Sequence, residues 1–351
     1  MRDVSGPIEQ FIRVTLLVTA LVICLEGCSS TSDVAAPDFA PGYRGDVTPW
    51  THVEFDNAED KFTFAIISDL WGGNRASIFE VAVEQLNLLR PEMVMSVGDL
   101  IDGGTEDLDQ LAREWDEFEA LASGVNAPLF RVGGNHDLTN AVMRNVWEDR
   151  FGATYYHFRY KDVLFLVLNS EDFDPQEMQE IYLARAKTIA LLQEGRTEEA
   201  EASSNVFREE RYNGEISSAQ SAYFEKVIQA NTDVRWTFLF MHKPVWLRDD
   251  YDKGLQRIEA ALQGKSYSVF NGHFHSFSNV QRNGQSYTML ATTGGGQNAS
   301  NEKAFDQLTL VTVDSDGPVV AHLRMDGILG SAGLIPAGGD ALCFQASVCG
   351  E

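Results

Sequence analysis

From Phe62 onward, apolar residues in this chain alternate between two rhythms. FTFAIIS (62–68) is a continuous apolar run of strand length; Phe79, Ala82, Val83, Leu86 and Leu89 then recur at helical spacing, and MVMSV (93–97) returns to a strand. Leu108, Leu111, Trp115, Phe118 and Leu121 mark a second helix face, PLFRV (128–132) a third strand, and Val142 to Phe151 a further helix candidate. Strand, helix, strand predicts an α/β fold with a mostly parallel sheet.

The middle of the chain reads differently. TYYHFRY (154–160) and VLFLVLN (163–169) flank Lys161 and Asp162 and predict a hairpin. A helical insertion over about 172–213 follows, with Met178, Ile181, Tyr182, Ile189 and Leu192 on one face and a break near Gly195. Ser217 and Ser218 precede another helix, and WTFLF, YSVF, SYTMLAT and LTLVTV supply the later strands.

Before Phe62 the pattern is of another kind. Arg2 and Arg13 accompany an apolar run from Val14 to Leu25, shorter than the roughly 20 residues a membrane-spanning helix needs but suited to the core of a secretory signal. Leu25, Gly27 and Cys28 resemble the bacterial lipobox, in which the cysteine is lipidated and becomes the mature N-terminus; Glu26 is unusual there, and a plain signal peptide or an uncleaved anchor stays open. The expected organisation is a signal over 1–27, a Ser-, Asp-, Pro- and Gly-rich tether over 28–60, one domain over 61–325 and a tail over 326–351. Export to the cell envelope, with membrane attachment through a lipid on Cys28, follows from that reading.

Composition narrows the function. With 351 residues, 44% of them hydrophobic, the chain can bury a sizeable core. Its formal charge of −25 repels nucleic acid and anionic membrane surfaces, so a phosphorylated substrate would need a local positive centre, which a bound metal supplies. Cys343 and Cys349 lie close together in the tail, a spacing that suits a short disulfide loop in an exported protein.

The candidate chemistry sits just past the strands. Asp69 follows FAIIS, Asp99 follows MVMSVG, Asn135 and His136 follow FRVGG, His242 follows TFLFM, and His273 and His275 follow YSVFNG. Ligands in open α/β sheets collect at the carboxyl ends of strands. One strand-end histidine is more often a packing residue; five strand ends that each deliver a metal-competent group call for a common cause. Carboxylate, amide oxygen and imidazole without thiolate suit Mn, Fe or Zn.

GDLID (Gly98–Asp102), GNHD (Gly134–Asp137), MHKP (Met241–Pro244) and GHFH (Gly272–His275) resemble the GDxxD, GNH(D/E), H and GHxH blocks of calcineurin-like metallophosphoesterases, in the family's order, over about Phe62 to Leu323. The resemblance implies a four-layer α/β/β/α sandwich, two packed mixed sheets flanked by helices. It implies two divalent metal ions, with Asp99 bridging, Asn135, His242 and His273 completing one site, and Asp69 and His275 serving the other. His136 would stand on the leaving-group side without binding metal, oriented by Asp137, which could equally cap the following helix. The implied reaction is hydrolysis of a small phosphomonoester or phosphodiester; the rival is an envelope lipoprotein that keeps the fold and binds without turnover.

One block departs from the family. Its Asp-x-His motif is here Asp69-Leu70-Trp71, and indole has no lone pair for a metal. Either the site works with one donor fewer, or Asn74 or another loop residue replaces the imidazole, or the site has decayed. Asp102 is expected to tie its own loop, His52, His157 and His322 to have ordinary packing roles, and the run Gly294–Gly296 to be weak evidence of approach to the site.

Overall fold

A computed structural model of the chain describes residues 38–55, 61–212, 214–248 and 250–349. The expected signal and Cys28 lie outside the described residues. Among the described residues the strands are β1 Phe39–Pro41, β2 Phe62–Ile67, β3 Met93–Ser96, β4 Leu129–Phe130, β5 Tyr156–Tyr160, β6 Val163–Val167, β7 Trp236–Phe240, β8 Tyr267–Asn271, β9 Ser278–Arg282, β10 Gln285–Met289, β11 Gln307–Asp314 and β12 Gly317–Arg324. They form two mixed sheets, one ordered β1-β5-β6-β7-β8-β10-β9 and the other β12-β11-β2-β3-β4.

β2 explains why the apolar runs are continuous rather than alternating. Phe62, Phe64 and Ile66 point into the space between the sheets, with Met95, Phe165, Phe238 and Phe240. Ala65 and Ile67 point the other way, onto the helices Ile78–Leu89 and Leu108–Ala122. A strand buried on both faces has no polar side to show. On the far side, helices Ser218–Ala230 and Lys253–Ala261 cover the seven-stranded sheet through Phe224, Leu255 and Ile258. The result is the four-layer sandwich.

β2, β3 and β4 run parallel in one sheet, and β6, β7 and β8 run parallel in the other. The carboxyl ends that carry the candidate residues therefore belong to two parallel sets facing each other across the sheet interface.

Several expectations change. The segment assigned to a tether is, over 38–55, part of the fold: β1 pairs with β5, Phe39 packs on Trp50, Phe130 and Phe158, and Trp50 is buried. Its aromatics lie between prolines, glycines and aspartates, which masks any period. Beyond 325 the tail docks as well. Gln85 donates to the carbonyls of Met325 and Ile328, Phe344 is buried, and Cys343 is disulfide-bonded to Cys349. Strands β9 and β12 were not anticipated because they are polar or exposed edge strands. The helix Lys253–Ala261, capped by Asp252, was missed because it is short. Among the described residues no helix is long and apolar enough to cross a membrane.

Candidate metal centre

The turns that follow β2, β3 and β8 hold their functional side chains in a costly conformation. Asp69 (φ 43°), Asp99 (φ 55°), His273 (φ 81°) and His275 (φ 51°) all lie in the left-handed region that non-glycine residues avoid. Strain gathered on four such side chains at one place is a mark of a functional site. Close approach adds to it: a Cβ on Gly134 would collide with Asp99, and one on Gly272 with the Asp69 carboxylate.

Asp99 lies at the centre. Its carboxylate accepts from the His136 N–H at 2.9 Å and faces His242 Nε2 at 3.2 Å. That nitrogen is also 3.0 Å from Asn135 Oδ1 and 3.2 Å from His273 Nδ1. On the other side, His275 Nε2 lies 3.4 Å from Asp69 Oδ1, and Asp69, Asp99 and His275 offer ligand atoms within 4.8 Å of one another. Donors bound at ~2.1 Å to one ion stand roughly 3 Å apart, so these spacings fit coordination.

The imidazoles are oriented for it. His242 Nδ1 bonds the Val97 carbonyl at 2.9 Å, His273 Nε2 the Arg211 carbonyl at 2.8 Å and His275 Nδ1 the Gly296 carbonyl at 2.5 Å. A carbonyl only accepts, so each of those nitrogens carries the proton and the other nitrogen is turned to the cluster.

Burial opposes charge on His242, but Asp99 beside it raises its pKa to about 9. Burial likewise opposes charge on His275, and its bond to Asp69 raises it to about 8. Without metal, protons on these rings stand where cations would. Burial works against the Asp99 carboxylate too, yet His242 and His136 hold its pKa well below the usual range.

All the sequence-derived strand-end residues thus come together, with one change of role: Asp137 takes the alternative part, capping the helix Asn135–Leu138. Asp137 does not orient His136. Its buried carboxylate accepts from the N–H groups of Leu100 (2.9 Å), Ile101 (3.2 Å) and Gly134 (2.8 Å), tying the GDLI loop to the GNHD turn. Burial and the neighbouring Asp99 raise its pKa to about 8, against the pull of those donors. His136 is held instead by the Asp102 carbonyl at Nδ1 (2.6 Å) and by Arg185 at Nε2 (3.0 Å). Burial, helped by the Arg185 charge, lowers its pKa, so the resting ring is neutral rather than an imidazolium.

Trp71 and Asn74 answer the departure in the first block. Trp71 packs against the helix-side core while its backbone N–H donates to the Asp99 carbonyl at 3.2 Å. Asn74 is exposed, and among the described residues its side chain makes no hydrogen bond to the cluster. The run Gly294–Gly296 does reach the site: Gly295 N–H donates to the Asp69 carbonyl at 2.8 Å, and Gly296 receives His275. His52, His157 and His322 lie apart, the last two bonded to Tyr223 and Thr309.

Sequence reasoning missed Arg75 and Arg185. Arg75 bonds the Gly295 carbonyl (3.0 Å), the buried Asp306 (2.5 Å) and the Cys343 carbonyl (2.9 Å), joining two site loops to the tail. Arg185 comes from the helix Pro175–Gln193 of the insertion, which roofs a cavity of about 940 Å³ beside Asn135, His136 and His273. Neither arginine falls in a motif.

A family model for calcineurin-like phosphoesterases matches residues 62–277. The chain belongs to that family. The family's fold is also that of solved structures. A dimetal phosphatase from Danio rerio is 16% identical, with 76% of this chain and 97% of that one covered and a TM-score of 0.55. A purple acid phosphatase from yellow lupin (Lupinus luteus) seeds is 11% identical, with 78% and 53% covered and a TM-score of 0.52. At such identities these phosphoesterase-family likenesses concern the fold. No curated protein sequence matches the chain.

Proposed function

We propose that the protein is a metal-dependent hydrolase of a small phosphomonoester or phosphodiester, using two divalent cations of the Mn, Fe or Zn type. The observation that carries this is the division of labour on three imidazoles, each with one nitrogen on a backbone carbonyl and the other turned into the cluster: His242 Nε2 beside Asp99 and Asn135, His275 Nε2 beside Asp69, and His273 Nδ1 beside His242 Nε2. Family membership and the dimetal phosphatase among its structural likenesses support it.

Asn135, His242 and His273 would hold one cation with Asp99, and Asp69 and His275 the other, with Asp99 shared. When bound, such a pair supplies Lewis acidity toward phosphoryl oxygens and a water that ionises near neutral pH. In the hydrolysis an oxygen from water joins phosphorus, the bond to the leaving oxygen breaks, and that oxygen departs with a proton. His136 rests neutral, its Nδ1 proton on the Asp102 carbonyl. A phosphoryl group's negative charge beside Nε2 favours protonation there, which is the state that can protonate a leaving alkoxide.

The test is metal content of purified protein, followed by turnover of chromogenic mono- and diesters with added Mn. Two metals per chain with hydrolysis are expected; metal without turnover would favour the binding lipoprotein, and no metal would overturn the reading. Export with a lipid on Cys28 is proposed as well, supported by the apolar run before it and by the Cys343–Cys349 disulfide, which needs an oxidising compartment. Mass spectrometry of the N-terminus should find Cys28 acylated; an unmodified N-terminus elsewhere would remove that proposal.

A further inference from the structure

The helix Pro175–Gln193 turns Ile181, Arg185, Thr188, Ile189 and Leu192 toward the cavity. At 3.6 residues per turn these positions share one face, and Arg185 is the charge on it. Its guanidinium donates to the Asn135 carbonyl at 3.1 Å and to His136 Nε2 at 3.0 Å. Among the described residues no carboxylate pairs with it; Asp99, Glu171 and Asp102 act on it only from a distance. Lys243, which lines the same cavity, is by contrast neutralised by Glu171 at 2.9 Å. A guanidinium that faces a cavity beside His136 with no acid of its own is suited to an anion, which its planar fork can grip at two oxygens.

The rest of the face has the opposite character. Ile189 and Leu192 leave 38% and 51% of their surface exposed although the helix is otherwise anchored by Met178, Ile181 and Leu191. These two aliphatic chains offer apolar surface to the cavity instead of to the core. Glu201, Glu210 and Arg211 also line the cavity, where acid and cation are in balance, and the net charge of −25 disfavours a second anionic group.

We propose that Arg185 binds the phosphoryl oxygens of the substrate and that the same helical face receives an apolar leaving group. The insertion then selects alkyl or aryl phosphoesters over those whose leaving group is hydroxylated or charged. This rests on the hydrolase reading, and the cavity of about 940 Å³ leaves room for a leaving group well beyond the phosphate itself.

The test measures binding and turnover separately on the metal-loaded protein. Calorimetry with inorganic phosphate, benzylphosphonate and 2-hydroxyethylphosphonate needs no hydrolysis. Arg185→Gln should weaken inorganic phosphate about 10- to 100-fold with metal content unchanged, and Arg185→Lys should recover part of the loss. Wild type should bind benzylphosphonate about tenfold tighter than the hydroxyethyl compound. Leu192→Asn should erase that preference while leaving inorganic phosphate within about twofold. Unchanged phosphate affinity in Arg185→Gln, or no preference between the phosphonates in wild type, overturns the proposal. If the binding results come out as expected but no ester is turned over, the binding assignment stands and the hydrolase reading falls.

Discussion

On one side of Asp99, the groups of Asn135, His242 and His273 converge, so that one histidine nitrogen has three donors within 3.2 Å. On the other side, Asp69 and His275 stand 3.4 Å apart, and the residue two beyond Asp69, where the family has a histidine, is Trp71, half-buried against the helix-side core. The two halves draw on the same loops and the same strained turns, yet one gathers three candidate donors beside Asp99 and the other two. A motif position therefore states where a side chain starts, while packing decides what it serves: an indole gains more from burial than from a polar cluster it cannot ligate.

The comparison can be broken most severely at the shared residue. Asp99→Asn should remove metal from both halves and lower turnover at least about 1,000-fold, with the circular dichroism of the sheets retained, because only the charge of one side chain is changed. Wild-type activity in that variant would sink the shared role.

Proton competition separates the halves next. Metal must displace the proton of His242, with a pKa near 9, on one side and of His275, near 8, on the other. From pH 7 to 9 metal affinity should rise by about 50-fold in the fuller half and by about tenfold in the other, as a titration with each occupancy resolved would show. The same shifts predict a stability change in the metal-free protein. His242 and His275 bind protons more tightly folded than unfolded, so the stability they contribute is full below about pH 6.5 and is lost as pH rises through 8 and 9. Asp137, raised to about 8, acts in the same direction, while His136 and His273, with lowered values, have finished titrating by then. Thermal unfolding of metal-free protein should therefore fall in temperature from pH 6.5 to 9; a rise would contradict the assignment.

Restoring the missing donor is a smaller step. Trp71→His should reduce the metal concentration for half-maximal activity about tenfold, at a cost of about 2–3 kcal/mol of stability from the packing lost. An unchanged metal requirement would mean that the imidazole cannot reach the second site from the Trp71 backbone. Asn74→Ala, by contrast, should change metal stoichiometry and turnover by less than about twofold, since its side chain is exposed and apart from the cluster. Loss of a metal in that variant would show that Asn74 folds back as the substitute ligand.

Much of this site was legible in advance because its parts are local. A continuous apolar run followed by glycine and a metal-competent side chain declares a buried strand and the turn after it, and the run at Phe62, the run at Met93 and the blocks around Asn135, His242 and His273 all proved to be so placed. What was not legible depended on partners far away. Asp137 sits beside His136 in sequence, but its carboxylate is used 37 residues back, on Leu100. Arg185 meets His136 across 49 positions, and Arg75 meets Cys343 across 268. The aromatics of residues 39–55 looked like linker because their value lies in a sheet edge that forms only when β5 is present.

The amino-acid sequence by itself determined the class of fold, the strand ends that carry donors and the family to which they belong, because hydrophobic period and turn chemistry are short-range properties of the chain. Only the tertiary structure decided how closely the donors stand around Asp99, that Trp71 packs half-buried against the helix-side core, that Asp137 braces loops, and that an insertion helix sends Arg185 to the cluster. These depend on the order of strands in two sheets and on hydrogen bonds closed over tens to hundreds of residues. No local pattern encodes such a distance, since each group's partner is chosen by whatever the packed sheets bring beside it.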